Sequence, residues 1–166
     1  MVKLGLQISA RLENVEKLEV CGEDFRYFVK TLCSNCGEGS GDRWQYVAVN
    51  EVMEGRSGSR NAECHMKVKC KGCQREVSLF ILEDSTKPYI HDEDKPEAFQ
   101  TILIIEGRGM EVTDFDFRGG WSVKALNSTT IFENVDLTDK EWADYDEKSG
   151  DSVAIYDLKS KIVKLK

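Results

Sequence analysis

Two cysteine pairs, Cys33-Ser-Asn-Cys36 and Cys70-Lys-Gly-Cys73, stand on either side of residues 37–69, and no other feature of the chain restricts its folding as tightly. Two residues between cysteines let both sulfurs point into one tetrahedral site while backbone N–H groups of the turn donate to the thiolates. Gly37, directly after the first pair, can take the left-handed conformation that ends such a knuckle. Each pair also closes a run of alternating residues, 25–32 before the first and 64–69 before the second. Two strand-end knuckles facing one another would close a four-sulfur site. Soft thiolates in fourfold geometry suit zinc, with iron as the main competitor and cellular availability on the side of zinc. A redox CxxC should open a helix within a βαβ pattern, and neither pair does. The spacing therefore predicts one structural Zn²⁺ per chain.

Smallness does not demand that metal. A chain of 166 residues that is 40% hydrophobic can bury a sizeable core unaided, and 32% charged residues with only two prolines describe a globular protein rather than a disordered one. The formal charge of −7 sets the whole chain against phosphate backbones and anionic membrane surfaces, so a nucleic-acid role would need a local basic patch. The first twenty residues alternate apolar with polar, unlike a signal peptide, and no stretch approaches the ~20 apolar residues of a membrane span. A cytoplasmic or nucleocytoplasmic location is expected, and in a reducing compartment six cysteines favour metal over a disulfide framework.

Period-two alternation dominates the rest of the chain. Leu4, Leu6, Ile8, Ala10 and Leu12 share one face; Phe25, Tyr27 and Val29, then Cys64, Met66 and Val68, then Val77, Leu79 and Ile81 repeat the pattern. Further β-rich runs are WQYVAV, FQTILIIE, VTDFDF, WSVKAL, STTIF, SVAIYDL and KIVKL. Roughly ten short strands predict an all-β fold, an antiparallel sandwich or barrel, as a single domain over 1–166. A weak echo between residues 6–18 and 102–115 is compatible with two related β halves. One helical signal stands out, because Thr138 followed by Glu141 matches a capping box and predicts a short helix near 138–148. Residues 55–61 (GRSGSRN) and 87–97 read as loops, and Gly107-Arg-Gly109 as a turn.

Cys64 falls on an apolar face and reads as a small core residue, His65 on the opposite face as an exposed histidine, and Cys21 has no assignable role. Lys30, Lys67, Lys69, Lys71 and Arg75 lie near the cysteines in sequence and can offset the two net negative charges of a zinc tetrathiolate. The acidic run with Asp144, Asp146 and Gly150 fails as a calcium loop, since Lys148 and Ile155 stand where acidic ligands belong. Trp142 and Tyr145 are expected to dock that segment on the sheets.

The segments GEDFRYFVKTLCSNCGE, WQY, CKGC with the following REVSLFIL, STKPY and EWADYDEKSGDSVAIYDL span nearly the whole chain in order. In them the chain resembles the CXXC motif-containing zinc-binding proteins, a eukaryotic family. The resemblance implies that Cys33, Cys36, Cys70 and Cys73 are zinc ligands in a compact, mostly β structure of unusual topology, and it implies no established reaction. Enzyme signatures are missing as well: the chain has no G-x-x-x-x-G-K-[ST], G-x-S-x-G or H-E-x-x-H.

The leading expectation is a non-enzymatic interaction or adaptor protein, monomeric, with protein partners and a fold organised by zinc. Metal handling, passing zinc or copper through partly exposed thiolates, is the alternative. A zinc-ribbon nucleic-acid binder using Lys67, Lys69, Lys71 and Arg75 is the third, opposed by net charge and by the lack of aromatics among those lysines.

Overall fold

A computed structural model describes residues 2–54 and 63–166. Along the chain run β1 (Val2–Glu13), β2 (Val15–Val20), β3 (Tyr27–Cys33), β4 (Gln45–Val47) and β5 (Met53–Glu54). After the expected loop at 55–61, which lies outside the described residues, come β6 (Glu63–Cys64), β7 (Met66–Lys69), β8 (Glu76–Ile81), β9 (Tyr89–Ile90) and β10 (Gln100–Arg108). The remainder forms β11 (Met110–Asp116), β12 (Trp121–Ala125), β13 (Ile131–Val135), β14 (Trp142–Asp146) and β15 (Asp151–Leu165). No described helix is long and apolar enough to cross a membrane.

Among the described residues all strand pairings are antiparallel, as the alternation predicts. A six-stranded sheet runs β14-β15-β1-β10-β8-β7, a three-stranded sheet β11-β3-β4, and a four-stranded sheet β13-β12-β2-β9, with a small β5-β6 pair. One hydrophobic cluster joins the three larger sheets: Leu6, Ile8, Leu79 and Leu103 from the first, Tyr27, Val29 and Phe115 from the second, Leu18, Trp121 and Val123 from the third. Within it Phe25 lies edge-on to both Tyr27 and Trp121, at 4.8 and 5.0 Å between centroids. Edge-to-face packing of this kind adds specificity to plain area burial.

Two expectations about the C-terminal third are corrected. The helix near 138–148 is not formed: residues 138–140 are a turn and Trp142–Asp146 is a strand. Asp136 Oδ1 accepts from both the backbone N–H and the hydroxyl of Thr138, so the hydroxyl that a capping box needs is already engaged. Lys140, at φ 62°, then turns the chain out of any helical path. Trp142 and Asp146 face inward; Trp142 meets Phe132 edge-on at 5.1 Å, whereas Tyr145 is exposed, so only one of the two aromatics docks. The runs SVAIYDL and KIVKL are parts of one strand, β15, whose pairing with β1 shifts register between Ser9 and Arg11. Asp157, opposite that shift, has φ 53° and accounts for the apparent break.

The loop read over 87–97 holds a two-residue strand, β9, pairing with β2. His65 is also corrected. It is buried, because β6 and β7 break at this residue and its ring turns in against Phe80, 5.1 Å away. Ile81 N–H donates to its Nδ1 at 2.9 Å, and burial holds the imidazole below its ordinary value. Cys64 is fully buried, as its face predicts.

Candidate metal centre

The four cysteines of the two pairs converge. One sulfur from each of Cys33, Cys36, Cys70 and Cys73 lies within 4.8 Å of the others, with Cys33 Sγ 3.8 Å from Cys73 Sγ and Cys36 Sγ 3.5 Å from Cys70 Sγ. A zinc ion with Zn–S bonds of about 2.3 Å sets its tetrahedron edges at about 3.8 Å, so the sulfurs already stand near the spacing one such ion requires.

Local backbone chemistry builds each half of this site in the same way. In the first knuckle Cys33 N–H donates to Glu38 O at 2.8 Å, and Gly37 N–H donates to Cys33 O at 2.9 Å. In the second, Cys70 N–H donates to Arg75 O at 2.8 Å, and Gln74 N–H donates to Cys70 O at 2.9 Å. The residue after each second cysteine is left-handed, Gly37 at φ 78° and Gln74 at φ 64°. Glycine accepts that conformation freely; Gln74 accepts it with its own Nε2 donating to Lys71 O.

The knuckles come from different sheets. Cys33 ends β3 of the three-stranded sheet, while Cys70 and Cys73 form the turn between β7 and β8 at the edge of the six-stranded sheet. Where the turns meet, an added Cβ on Gly72 would sit 3.0 Å from Cys36 Sγ, so a side chain there would crowd this ligand sulfur. The Gly107-Arg-Gly109 turn supports them: Gly109 O accepts from Ser34 N–H at 3.0 Å, and a Cβ on Gly107 would overlap the carbonyl oxygen of Met110.

N–H groups aimed at the sulfurs favour their ionised forms. Backbone N–H groups of Cys36 and Asn35 hold the Cys33 thiol below its ordinary value. The Asn35 side chain reaches across to Cys73 and, with the Arg75 N–H, lowers that thiol to about 6. Cys36 receives the Glu38 N–H, yet the crowding of Cys70, burial, and the sulfurs of Cys33 and Cys73 push it up to about 12. Four sulfurs this close cannot all ionise on their own, and a divalent cation among them removes the repulsion. Cys33 and Cys70 are buried, Cys73 half-buried and Cys36 exposed.

Sequence reasoning overlooked Gly72, Asn35 and the supporting role of the Gly107–Gly109 turn, since each acts across the join between distant segments. Of the cations near the cysteines in sequence, Lys30 points elsewhere, its Nζ 4.7 Å from the ring centroid of Trp44. Cys21 and His65 lie outside the sulfur cluster.

With this geometry in view, the relatives are informative. The model of the eukaryotic CXXC motif containing zinc binding protein family matches residues 5–163. The chain belongs to this family. Among its relatives, the UPF0587 protein CG4646 of Drosophila melanogaster is 45% identical, over all of this chain and 99% of that one. The CXXC motif containing zinc binding protein of Homo sapiens is 42% identical over 99% of both chains. The crystal structure of C1orf123 superposes with a TM-score of 0.91 at 40% identity, covering 98% of this chain and 99% of that one. A hypothetical protein from Plasmodium falciparum shares the fold at a TM-score of 0.85 and 21% identity, covering 98% of this chain and all of that one. The family's metal and the donor chemistry of the four-sulfur cluster agree.

Proposed function

We propose that Cys33, Cys36, Cys70 and Cys73 bind one zinc ion as a structural staple, and that the protein is a non-enzymatic interaction module with protein partners. The observation that carries this reading is the origin of the ligands: one pair rides on β3, the other on the β7–β8 turn, so a single ion would cross-link two sheets. Four thiolates fill a tetrahedral sphere and leave no place for a reactive water, which supports a non-catalytic role for the metal. Cys33 and Cys70 also belong to the hydrophobic cluster, so this end of the core packs against the metal's ligands.

Chelation followed by near-UV circular dichroism tests the staple. Removing zinc is expected to collapse the aromatic signal, because Phe25, Tyr27, Phe115 and Trp121 pack on and beside β3. An unchanged spectrum and melting curve after complete metal removal would sink the structural reading.

Exposure of Cys36 favours a second reading, in which an incoming thiol displaces this ligand first and metal is passed to a client. The two readings part on exchange rate. A staple gives up zinc to a colorimetric chelator slowly at neutral pH, whereas a carrier gives it up rapidly.

A further inference from the structure

The outward side of the β11-β3-β4 sheet carries a motif that the metal centre does not use. Along β3 and the residue before it, Arg26, Phe28 and Lys30 alternate with the buried Phe25, Tyr27 and Val29, so the first three share the solvent side. Tyr46 of β4 stands opposite Phe28, their rings 6.0 Å apart, and Trp44 precedes it. Each aromatic ring on this side holds a cation. The guanidinium of Arg118 lies 3.8 Å from the Phe28 centroid, that of Arg26 lies 4.6 Å from Tyr46, and Lys30 Nζ lies 4.7 Å from Trp44.

Stacking of this sort holds each cation in place against a ring. The surrounding carboxylates are engaged internally: Asp116 accepts from Arg118 Nε, Glu51 from the Tyr46 hydroxyl and Asp114 from Thr113 Oγ1. Among the described residues, neither Arg26 nor Lys30 pairs with a carboxylate. At one end the face runs into a recess of about 270 Å³ whose lining includes Arg26, Phe28, Arg118, Gly119 and Gly120, and also Asp24. Three aromatics and three cations stand together on this face, with carboxylates at its border, in a chain of net charge −7.

We infer that this face docks an extended acidic segment of a partner protein, which carries two carboxylates four residues apart and an apolar side chain midway. The spacing follows from β3 itself. Arg26 and Lys30 are four residues apart, about 13 Å in an extended strand, with Phe28 between them on the same side. One carboxylate enters the recess between Arg26 and Arg118, the apolar side chain lies over Phe28 and Tyr46, and the second carboxylate meets Lys30. Arg, Tyr and Trp are the residue types that anchor protein interfaces. A nucleic acid fits less well, because a phosphate on every nucleotide would also meet Glu51, Asp114 and Asp116, whereas the peptide carries charge only where the cations stand.

This inference rests on the interaction-module reading, and its test leaves the staple untouched. The zinc-loaded protein, labelled with ¹⁵N, is titrated with a nine-residue peptide in which two glutamates stand four residues apart with leucine midway in a Gly/Ser background. Shifts are expected at Arg26, Phe28, Lys30 and the Trp44 indole, saturating below about 5 mM, the range of a single weak contact. Arg26→Glu should weaken binding about fivefold or more, the scale of one exposed ion pair. Arg11→Ala, a control on β1, should not change it. The counterpart peptide with lysines for glutamates should leave the spectrum unmoved.

Absence of shifts in the wild-type protein, shifts confined to other surfaces, or equal response to the lysine peptide would overturn the inference. So would tighter binding of decauridine at the same residues, which would make the face a nucleic-acid platform. Mapping on the wild-type chain keeps the test decisive even if a variant folds poorly. A chelation experiment that left the fold intact would remove the staple alone, and a silent titration would remove the docking face alone.

Discussion

At the scale of single residues, the two knuckles are copies in hydrogen bonding but not in sequence. Gly37 and Gln74 hold equivalent left-handed positions, so substitutions at them should differ in a defined way. Gly37→Ala introduces a Cβ into that conformation and is expected to cost about 1 kcal/mol. Gln74→Gly relieves the same strain but frees the unfolded chain and loses the bond to Lys71 O, and is expected to lie within about 0.5 kcal/mol of neutral. Chemical denaturation of both variants with zinc bound measures the difference. Gly72→Ala acts through the metal instead. Its Cβ would press on Cys36 Sγ at 3.0 Å, and zinc affinity against a competing chelator should fall about tenfold, the scale of losing support around a ligand. The converging cysteines were legible because each CxxC is a local signal whose spacing survives any fold. Gly72 was not, because its constraint is the sulfur of a residue brought in from the other sheet, and no spacing along the chain reports that approach.

Among the elements, the β14–β15 hairpin shows where reading by pattern succeeds and where it fails. Alternation found the long strands because one apolar face of each is buried, but β14 offers no such face, since the positions on its inward side are Trp142, Asp144 and Asp146, and the helix-start pattern of Thr138 and Glu141 stood unopposed. Asp136 overrides that pattern by capturing the Thr138 hydroxyl, a preference that a motif search does not weigh. The hairpin is then tied to the loop before β13 by Asp146, which is fully buried. Its Oδ1 accepts from Thr130 Oγ1 at 2.6 Å and from Lys148 N–H at 3.0 Å, and these bonds, the Thr130 hydroxyl first, hold the carboxyl well below the usual carboxylate range. A carboxyl whose folded value is depressed contributes stability that is present above its unfolded value, about 3.9, and is lost as pH falls through the folded one. Asp146→Asn is therefore expected to melt lower than the parent at pH 7. The gap should close as pH drops from about 4 downward, while a gap constant across pH would show that the charge plays no part.

For the molecule as a whole, the metal centre sits where the β11-β3-β4 sheet meets the edge of the six-stranded sheet, and its influence should fade with distance from that join. The β1–β15 and β1–β10 pairings, at the middle of the six-stranded sheet, rest on long registers and on Leu4, Leu6, Ile8 and Ile155, which no cysteine touches in sequence. The three-stranded sheet has less to hold it: β4 contributes three residues, and β3 ends in the first knuckle. A structural zinc can supply on the order of 10 kcal/mol in a small site, comparable with the whole stability of a domain. Loss of the ion should thus be felt everywhere in the melting curve but first, and most, in one place. Cys33→Ser and Cys70→Ser, at buried ligands, should lower the melting temperature more than Cys36→Ser at the exposed one. Hydrogen exchange compared before and after chelation should show protection lost in β3, β4, β11 and the facing ends of β7 and β8, with the β1–β15 ladder opening last. Uniform deprotection of every sheet would mean that the ion supports the core as one cooperative unit, and unchanged protection around Cys33 and Cys70 would mean that it supports nothing.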